Sequence, residues 1–219
     1  MYNCAIKILN LLCNSGYEAY IVGGYPRDKY LNILSNDIDI CTNAKIDDIK
    51  EIFDNIDLTY SKYGNVILSF EGYKFDVTVF RKDKYLKNRN DVIIKYVETL
   101  FEDLKRRDFI INTLCIDKNG NYVDLFNARK DIDSKIIRMI NSSDELIEDP
   151  LRILRAIRFA TILDFKLDEE LSSGIIKYGY LTKNLSNTKK KKELDKIMNS
   201  KNREYGVYLI KKYGLDVYL

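Results

Sequence analysis

Near residue 140 the hydrophobic period of this chain changes. Before that point the apolar residues alternate: DIDIC at 37–41, NVILSF at 65–70 and KFDVTVF at 74–80 each place every second side chain on one face. A period of two is the signature of half-buried strands. From about 141 onward the apolar residues recur at three and four, the period of helices packed on a core. A chain of this kind folds as an α+β part followed by an all-α part. Residues 1–140 and 141–219 are therefore expected to be separate domains. With only two Pro and ten Gly in 219 residues, long disordered linkers are not expected.

Local signals fill in the elements. Residues 2–15 read as an amphipathic helix, Ala19–Val22 as a short strand, and 26–34 as a helix with Pro26 in its first turn. A helix over 46–54 and a strand over 57–61 follow, and Glu71-Gly72-Tyr73 reads as a hairpin turn. Residues 82–98 read as a charged loop with at most one short strand. A short helix is expected at 99–105. Lys118-Asn119-Gly120-Asn121 reads as a second hairpin turn, with Asn-Gly favouring a primed geometry.

Composition removes several chemistries. The chain has no His, which excludes His-based triads and His-ligated zinc. Cys4, Cys13, Cys41 and Cys115 have no metal-like spacing and read as small buried residues of an intracellular, cytoplasmic protein. Any metal must then be held by carboxylates, which points to Mg²⁺ or a similar hard ion. No apolar run approaches the roughly 20 residues of a membrane span. The net charge is only +3, but residues 183–219 hold ten Lys/Arg against four Asp/Glu. That leaves +6 on the C-terminal end and −3 on the rest, a distribution suited to a polyanionic partner.

Two motifs stand out within the first forty residues. Asp37 and Asp39 would share one face of a strand, with Ile38 and Ile40 turned into the core. Adjacent carboxylates repel unless a cation sits between them. Upstream, Gly23-Gly24-Tyr25-Pro26-Arg27-Asp28 joins strand to helix, and paired glycines let backbone N–H groups approach an anion. Together they supply a phosphate cradle beside a metal site. Asp76, on the strand with Phe75, Val77 and Val79 turned the other way, is either a third carboxylate of that site or a solvent-facing residue.

IVGGYPRD followed by NDIDI resembles the signature of the class II tRNA nucleotidyltransferase and bacterial poly(A) polymerase family. KFDVTVFR (74–81), LKRRDFIINTL (104–114) and EDPLRILRAIRF (148–159) resemble three further motifs of that family, in the same order. The resemblance implies a polymerase-β-like head with a small mixed or antiparallel sheet, followed by a helical neck. It implies template-independent addition of C and A from CTP and ATP to a tRNA 3′ end, with pyrophosphate released. Two Mg²⁺ would sit on Asp37 and Asp39. Gly23, Gly24 and Arg27 would hold the triphosphate, Asp108 and Asn112 would sense the ribose, and Arg107 would bind the nucleotide beside them. Asp149, Arg152, Arg155 and Arg158 would read the base. An A-adding enzyme, a poly(A) polymerase or an inactive RNA-binding relative would share these motifs.

Some features depart from the family or allow a second reading. Pro26 stands where the family has Val, and Thr188-Lys189 where its neck motif has Glu-Arg, although Ser186, Glu193 and Leu194 fit. Relatives continue past the equivalent of Leu219 into a body and tail, so a partner chain or an oligomer is an expected compensation. Tyr85 and Arg89 match the family's flexible loop, whose near-normal length sets this chain apart from members that add only CC. Asp108 and Asn112 would share a helix face if their segment is helical. Asp149 before Pro150 is equally a helix N-cap. Arg158 drifts toward the apolar side of its helix and needs a buried partner. Lys189, Lys190, Lys191 and Lys192 are either a solvated helix start or a contact to tRNA phosphates.

Overall fold

The computed structural model describes residues 1–85 and 92–219, which pack as two compact units. The first unit contains Met1–Lys84, Val92–Arg107 and Ile111–Arg129. Most of the second is Lys130–Leu219, joined by Asp108–Ile110.

The first unit begins with α1 (Tyr2–Asn14), β1 (Ala19–Val22), α2 (Gly24–Tyr30), β2 (Asp39–Thr42), α3 (Ile46–Ile52), β3 (Ile56–Asp57), β4 (Asn65–Phe70) and β5 (Tyr73–Val79). Then come β6 (Arg81–Tyr85), β7 (Val92–Tyr96), α4 (Leu100–Lys105), β8 (Cys115–Ile116) and β9 (Tyr122–Val123). Seven strands form one sheet in the order β3-β4-β5-β2-β1-β8-β9. Only β2 and β5 run parallel, so the sheet is mixed. Its alternating residues build two cores. Ile40, Val66, Leu68, Phe75 and Val77 pack with Ile8, Leu9 and Leu12 of α1. Val22, Cys41, Phe80, Leu100, Leu104 and Cys115 make the other.

Several expectations shift. Strand β2 starts at Asp39, because its neighbour β1 ends at Val22, opposite Asp39, and the chain turns at Gly23. Asp37 therefore precedes the strand, while Ile38 is still buried. Helix α2 stops at Tyr30, where the chain turns through Asn32 at φ 56. The strand expected at 57–61 is only Ile56–Asp57. The Asp57 carboxylate accepts the Thr59 N–H and hydroxyl, and a 3₁₀ turn, Ser61–Tyr63, follows. Among the described residues of 82–98, strand exceeds loop: β6 and β7 pair as a two-stranded ribbon. Arg89 lies outside the described residues.

The primed hairpin turn occurs at Glu71-Gly72, where both residues have positive φ (47 and 81). At Asn119-Gly120 only Gly120 does, because the Asp117 carboxylate accepts the Asn119 and Asn121 N–H groups and fixes a different turn. Of the cysteines, Cys41 and Cys115 are buried, while Cys4 and Cys13 are only half-buried.

Helix α5 (Ala128–Asp133) is followed in the second unit by β10 (Ile136–Ile137), α6 (Glu145–Glu148), α7 (Leu151–Leu163), β11 (Lys166–Leu167), α8 (Glu169–Tyr178), α9 (Asn187–Met198) and α10 (Arg203–Lys212). Helix α7 is central. Ten of its thirteen residues are buried, from Leu151 to Thr161, and it packs on α9 and α10. A helix buried nearly all round belongs in a core, and its arginines then need acidic partners there. Among the described residues, no helix is long and apolar enough to cross a membrane.

Candidate active site

Gly23 joins the two motifs of the first unit. It has φ 78, and a Cβ there would lie 2.8 Å from Asp39 Oδ2. Any other residue would both strain the backbone and strike the carboxylate. The glycine thus lets β1 end against Asp39. Gly24 opens α2, and a Cβ on it would come within 3.4 Å of Arg27 Nη2. Arg27 is buried. It gives Nε and Nη2 to Asp28 Oδ1, at 2.9 and 2.6 Å, and Nη1 to Asn112 Oδ1 at 2.5 Å.

Asp39 and Asp76 are directly paired across the parallel β2–β5 ladder. Phe75, Val77 and Val79 turn into the core, so Asp76 emerges on the opposite face. Burial raises the Asp39 pKa, and the charges of Asp37 and Asp76 add to this against an opposing pull from Arg107; the result is about 6. A carboxylate whose proton affinity is raised by burial and by two further carboxylates belongs to a donor set suited to a hard divalent cation. Among the described residues, no three such side chains converge tightly enough to hold a metal in this conformation.

Asp39 and Asp76, but not Asp37, line a cleft of about 460 Å³ with Arg81, Arg106 and Arg107. Sequence reading singled out Arg107 but neither of the other two as a site residue. The reason all three sit here is Asp103, which is fully buried in α4. Its Oδ1 accepts Arg106 Nε and Nη2, at 3.0 and 2.8 Å, and the Arg81 N–H at 3.2 Å. Its Oδ2 accepts Arg107 Nη2 at 3.0 Å. Asp83 pairs with Arg81 and Arg106, at 3.0 and 3.5 Å. Burial pushes the Asp103 carboxyl up, but Arg107 and Arg106 together hold it below the usual carboxylate range. The arginine cluster is anchored from beneath and faces the cleft. The signal in sequence was the spacing of Asp103 from Arg106 and Arg107, i to i+3 and i+4, in a helix that ends there.

Asp108 and Asn112 do not share a helix face. Helix α4 ends at Lys105, and only a short 3₁₀ turn, Ile110–Asn112, follows. Asn112 belongs to the first unit and accepts from Arg27. Asp108 belongs to the second, where its Oδ2 accepts Arg155 Nε at 2.7 Å and pairs with Nη2 at 2.5 Å.

The arginine stripe of α7 is matched acid by acid. Arg152 pairs closely with Glu145 Oε2, and its Nε lies 3.8 Å from Asp149 Oδ2. Asp149 accepts the Leu151 N–H at its other oxygen, Oδ1, at 3.2 Å. It stands one residue before the capping position, which Pro150 occupies, and both its cap-like and Arg-facing contacts are present. Arg158 finds the buried partner its position demanded: Nε lies 2.5 Å from Glu193 Oε2 of α9, and its guanidinium stacks on the Phe159 ring at 4.0 Å. The lysines of α9 are not equivalent. Lys190 is buried and donates to the Tyr218 carbonyl at 2.6 Å, whereas Lys191 and Lys192 are exposed.

Comparison with known proteins agrees with this architecture. The family model described as "Poly A polymerase head domain" matches residues 19–138. The CCA-adding enzyme of Bacillus subtilis (strain 168) is 35% identical over 199 residues, covering 90% of this chain and 50% of the relative. That of Streptococcus thermophilus (strain CNRZ 1066) is 33% identical over 205 residues, covering 93% and 51%. This chain spans about half the length of the curated relatives it matches. Among solved structures, the CCA-adding enzyme of Bacillus stearothermophilus in complex with CTP superposes with a TM-score of 0.91 at 32% identity, over 100% of this chain and 53% of that one. A tRNA nucleotidyltransferase complexed with a primer tRNA and an incoming ATP analog gives 0.80 at 27% identity, over 96% and 61%. With the head-domain model covering more than half of its residues, the chain belongs to the poly(A) polymerase head-domain family, and its first unit has the polymerase-β-like nucleotidyltransferase fold.

Proposed function

We propose that this chain transfers nucleotides from CTP and ATP to the 3′ end of tRNA, completing CCA without a template. The observation that carries the reading is the cleft where Asp39 and Asp76 meet Arg81, Arg106 and Arg107. Carboxylates on one side suit a cation, and guanidinium groups on the other suit a polyphosphate. The CTP-bound and tRNA-bound relatives support the choice of substrates.

Asp37 and Asp39, with Asp76, would hold two Mg²⁺; bound there, the ions lower the proton affinity of the attacking hydroxyl and neutralise the leaving pyrophosphate. Gly23, Gly24 and Arg107 bind and orient the triphosphate, and Arg27 supports them from its buried pairing with Asp28 and Asn112. Positioning and charge neutralisation account for most of the rate in such a site. Asp108 and Asn112 contact the ribose. Asp149 and Arg152 present donors and acceptors to the base, flanked by Arg155 and Arg158. Lys189, Lys191 and Lys192 contact tRNA phosphates, with Lys190 holding the C-terminal segment. In this reading the head, residues 1–140, carries the chemistry, the neck, 141–219, carries base selection, and the protein works in the cytoplasm.

The test is to incubate the protein with tRNA that lacks its terminal CCA and with labelled CTP and ATP, singly and together. Extension by two residues with CTP alone and by three with both is expected. Addition of A alone, or of a long A tract, would transfer the assignment to an A-adding enzyme or a poly(A) polymerase. Absence of any product would reject nucleotidyl transfer.

A further inference from the structure

Part of the remaining wall of the cleft is aromatic. Tyr60 and Tyr63, at the two ends of the 3₁₀ turn before β4, line the same cavity as Asp39 and Asp76. They are 50% and 41% exposed, and neither ring stacks on another aromatic ring among the described residues. Lys62 Nζ lies over the Tyr63 ring at 4.9 Å. The turn is braced rather than loose. Gly64 follows at φ 67, where a Cβ would meet the Tyr96 ring at 2.9 Å, and its carbonyl accepts the Val79 N–H of β5 at 2.8 Å. Below it, Asn65 gives Nδ2 to Thr78 Oγ1 at 3.0 Å, and its Oδ1 is buried with no hydrogen-bond partner among the described residues. An orphaned acceptor in the wall of a cleft suits a donor brought by a ligand.

We propose that Tyr60 and Tyr63 form a stacking platform for the terminal nucleoside of the acceptor strand, separate from the groups that read the incoming base. The proposal rests on the nucleotidyl-transfer reading above. An acceptor that grows by one nucleotide per cycle presents first the base that precedes CCA and then C, so its site cannot depend on the hydrogen-bonding edge of one base. Aromatic stacking tolerates every base because every base has a π-face. The cation over Tyr63 adds attraction for a strand that carries phosphates. The platform shares its cleft with the carboxylates that the acceptor hydroxyl must reach, which assigns it to the acceptor.

The test compares the full chain with Tyr60→Ala/Tyr63→Ala and with Tyr60→Phe/Tyr63→Phe, which keeps the ring faces. Binding is read without nucleotide, from quenching of a fluorescent aminopurine at the 3′ terminus of the acceptor. KM values for acceptor and for CTP are then measured separately. Stacking predicts that wild type and the Phe pair quench the probe, whereas the Ala pair does not. The acceptor KM of the Ala pair should rise by about 5- to 150-fold, with the CTP KM and the melting temperature little changed. A rise in the CTP KM alone would give the platform to the incoming base and overturn the proposal. Unchanged quenching and unchanged KM values in the Ala pair would reduce both tyrosines to surface residues. If wild type quenches the probe but adds no nucleotide, it is the nucleotidyl-transfer reading that fails, and the stacking result stands apart from it.

Discussion

Replacing Glu193 with Leu should destabilise the second unit more than any other single change on α9. Glu193 and Arg158 are both buried, their side chains 6% and 9% exposed, and they meet at 2.5 Å across the α7–α9 contact. Removing the acid leaves a guanidinium in the core with Arg155 as its charged neighbour, and Arg155 already shares Asp108. Breaking a buried pair from one side costs about 3–5 kcal/mol. For a chain of this size that corresponds to a fall in Tm of roughly 6–20 °C. Arg158→Met leaves a buried carboxylate and also removes the stacking on Phe159, so it too is costly. The double variant Arg158→Met/Glu193→Leu has neither buried charge and should recover most of the loss, because apolar replacement of a whole pair is often neutral. Urea melts of all four proteins, arranged as a double-mutant cycle, give the coupling directly. A loss below about 1 kcal/mol for Glu193→Leu, or a double variant whose loss equals the sum of the singles, would show that the pair does not hold α9 to α7.

Four further outcomes are expected. Asp39→Asn should stabilise the chelator-treated protein near neutral pH: with the native-state pKa raised from 3.8 to about 6, the penalty for ionising Asp39 grows as pH rises through that window and reaches about 3 kcal/mol above it. Thermal melts of both proteins at pH 4 and pH 7.5 check this, and equal stabilities at both pH values would refute it. Gly206→Ala puts a Cβ 2.5 Å from Ile197 Cγ2 and 2.7 Å from Thr161 Oγ1, so it should cost roughly 1–3 kcal/mol in a urea melt. Asp149→Ala and Arg152→Ala should blur discrimination among the four nucleoside triphosphates; a lower Tm with base preference intact would make the motif structural. Changing Lys191 and Lys192 to Ser should flatten the salt dependence of tRNA binding, while Lys190→Ser should lower stability through its lost bond to the Tyr218 carbonyl.

What could be read from the chain alone follows the range of each interaction. Strand β4 was legible to the residue, because alternation over NVILSF is a local property of a sheet with one face in a core. The extent of β2 was not, because it depends on where its neighbour β1 ends and on the close fit of Gly23 to Asp39. The short helix expected at 99–105 is α4, but the shared helix face considered for Asp108 and Asn112 fails for a similar reason. Asp103 draws Arg106 and Arg107 to itself, α4 stops at Lys105, and Asp108 and Asn112 are taken by different arginines. Sequence reading showed that Arg158 needs a partner, since an arginine on the apolar side of a helix cannot be left alone. It could not say that Glu193, 35 positions later, was to be that partner.

The charge arrangement of the cleft explains why a site for two opposite ligands does not collapse on itself. If Arg81, Arg106 and Arg107 paired directly with Asp39 and Asp76, both sets of groups would be used up before any ligand arrived. Instead, buried Asp103 and partly buried Asp83 hold the arginines by hydrogen bonds and ion pairs, fixing their direction without removing the net positive charge: two acids serve three guanidinium groups. On the other side burial, and then repulsion from Asp37 and Asp76, raise the proton affinity of Asp39 and favour a cation beside it. Each half of the cleft is thus left with an excess of one sign. Neutralising either excess within the protein, as Asp76→Lys would, should stabilise the empty fold and weaken triphosphate binding together. A variant that became more stable while keeping its CTP KM would show that the separation of charge serves folding rather than binding.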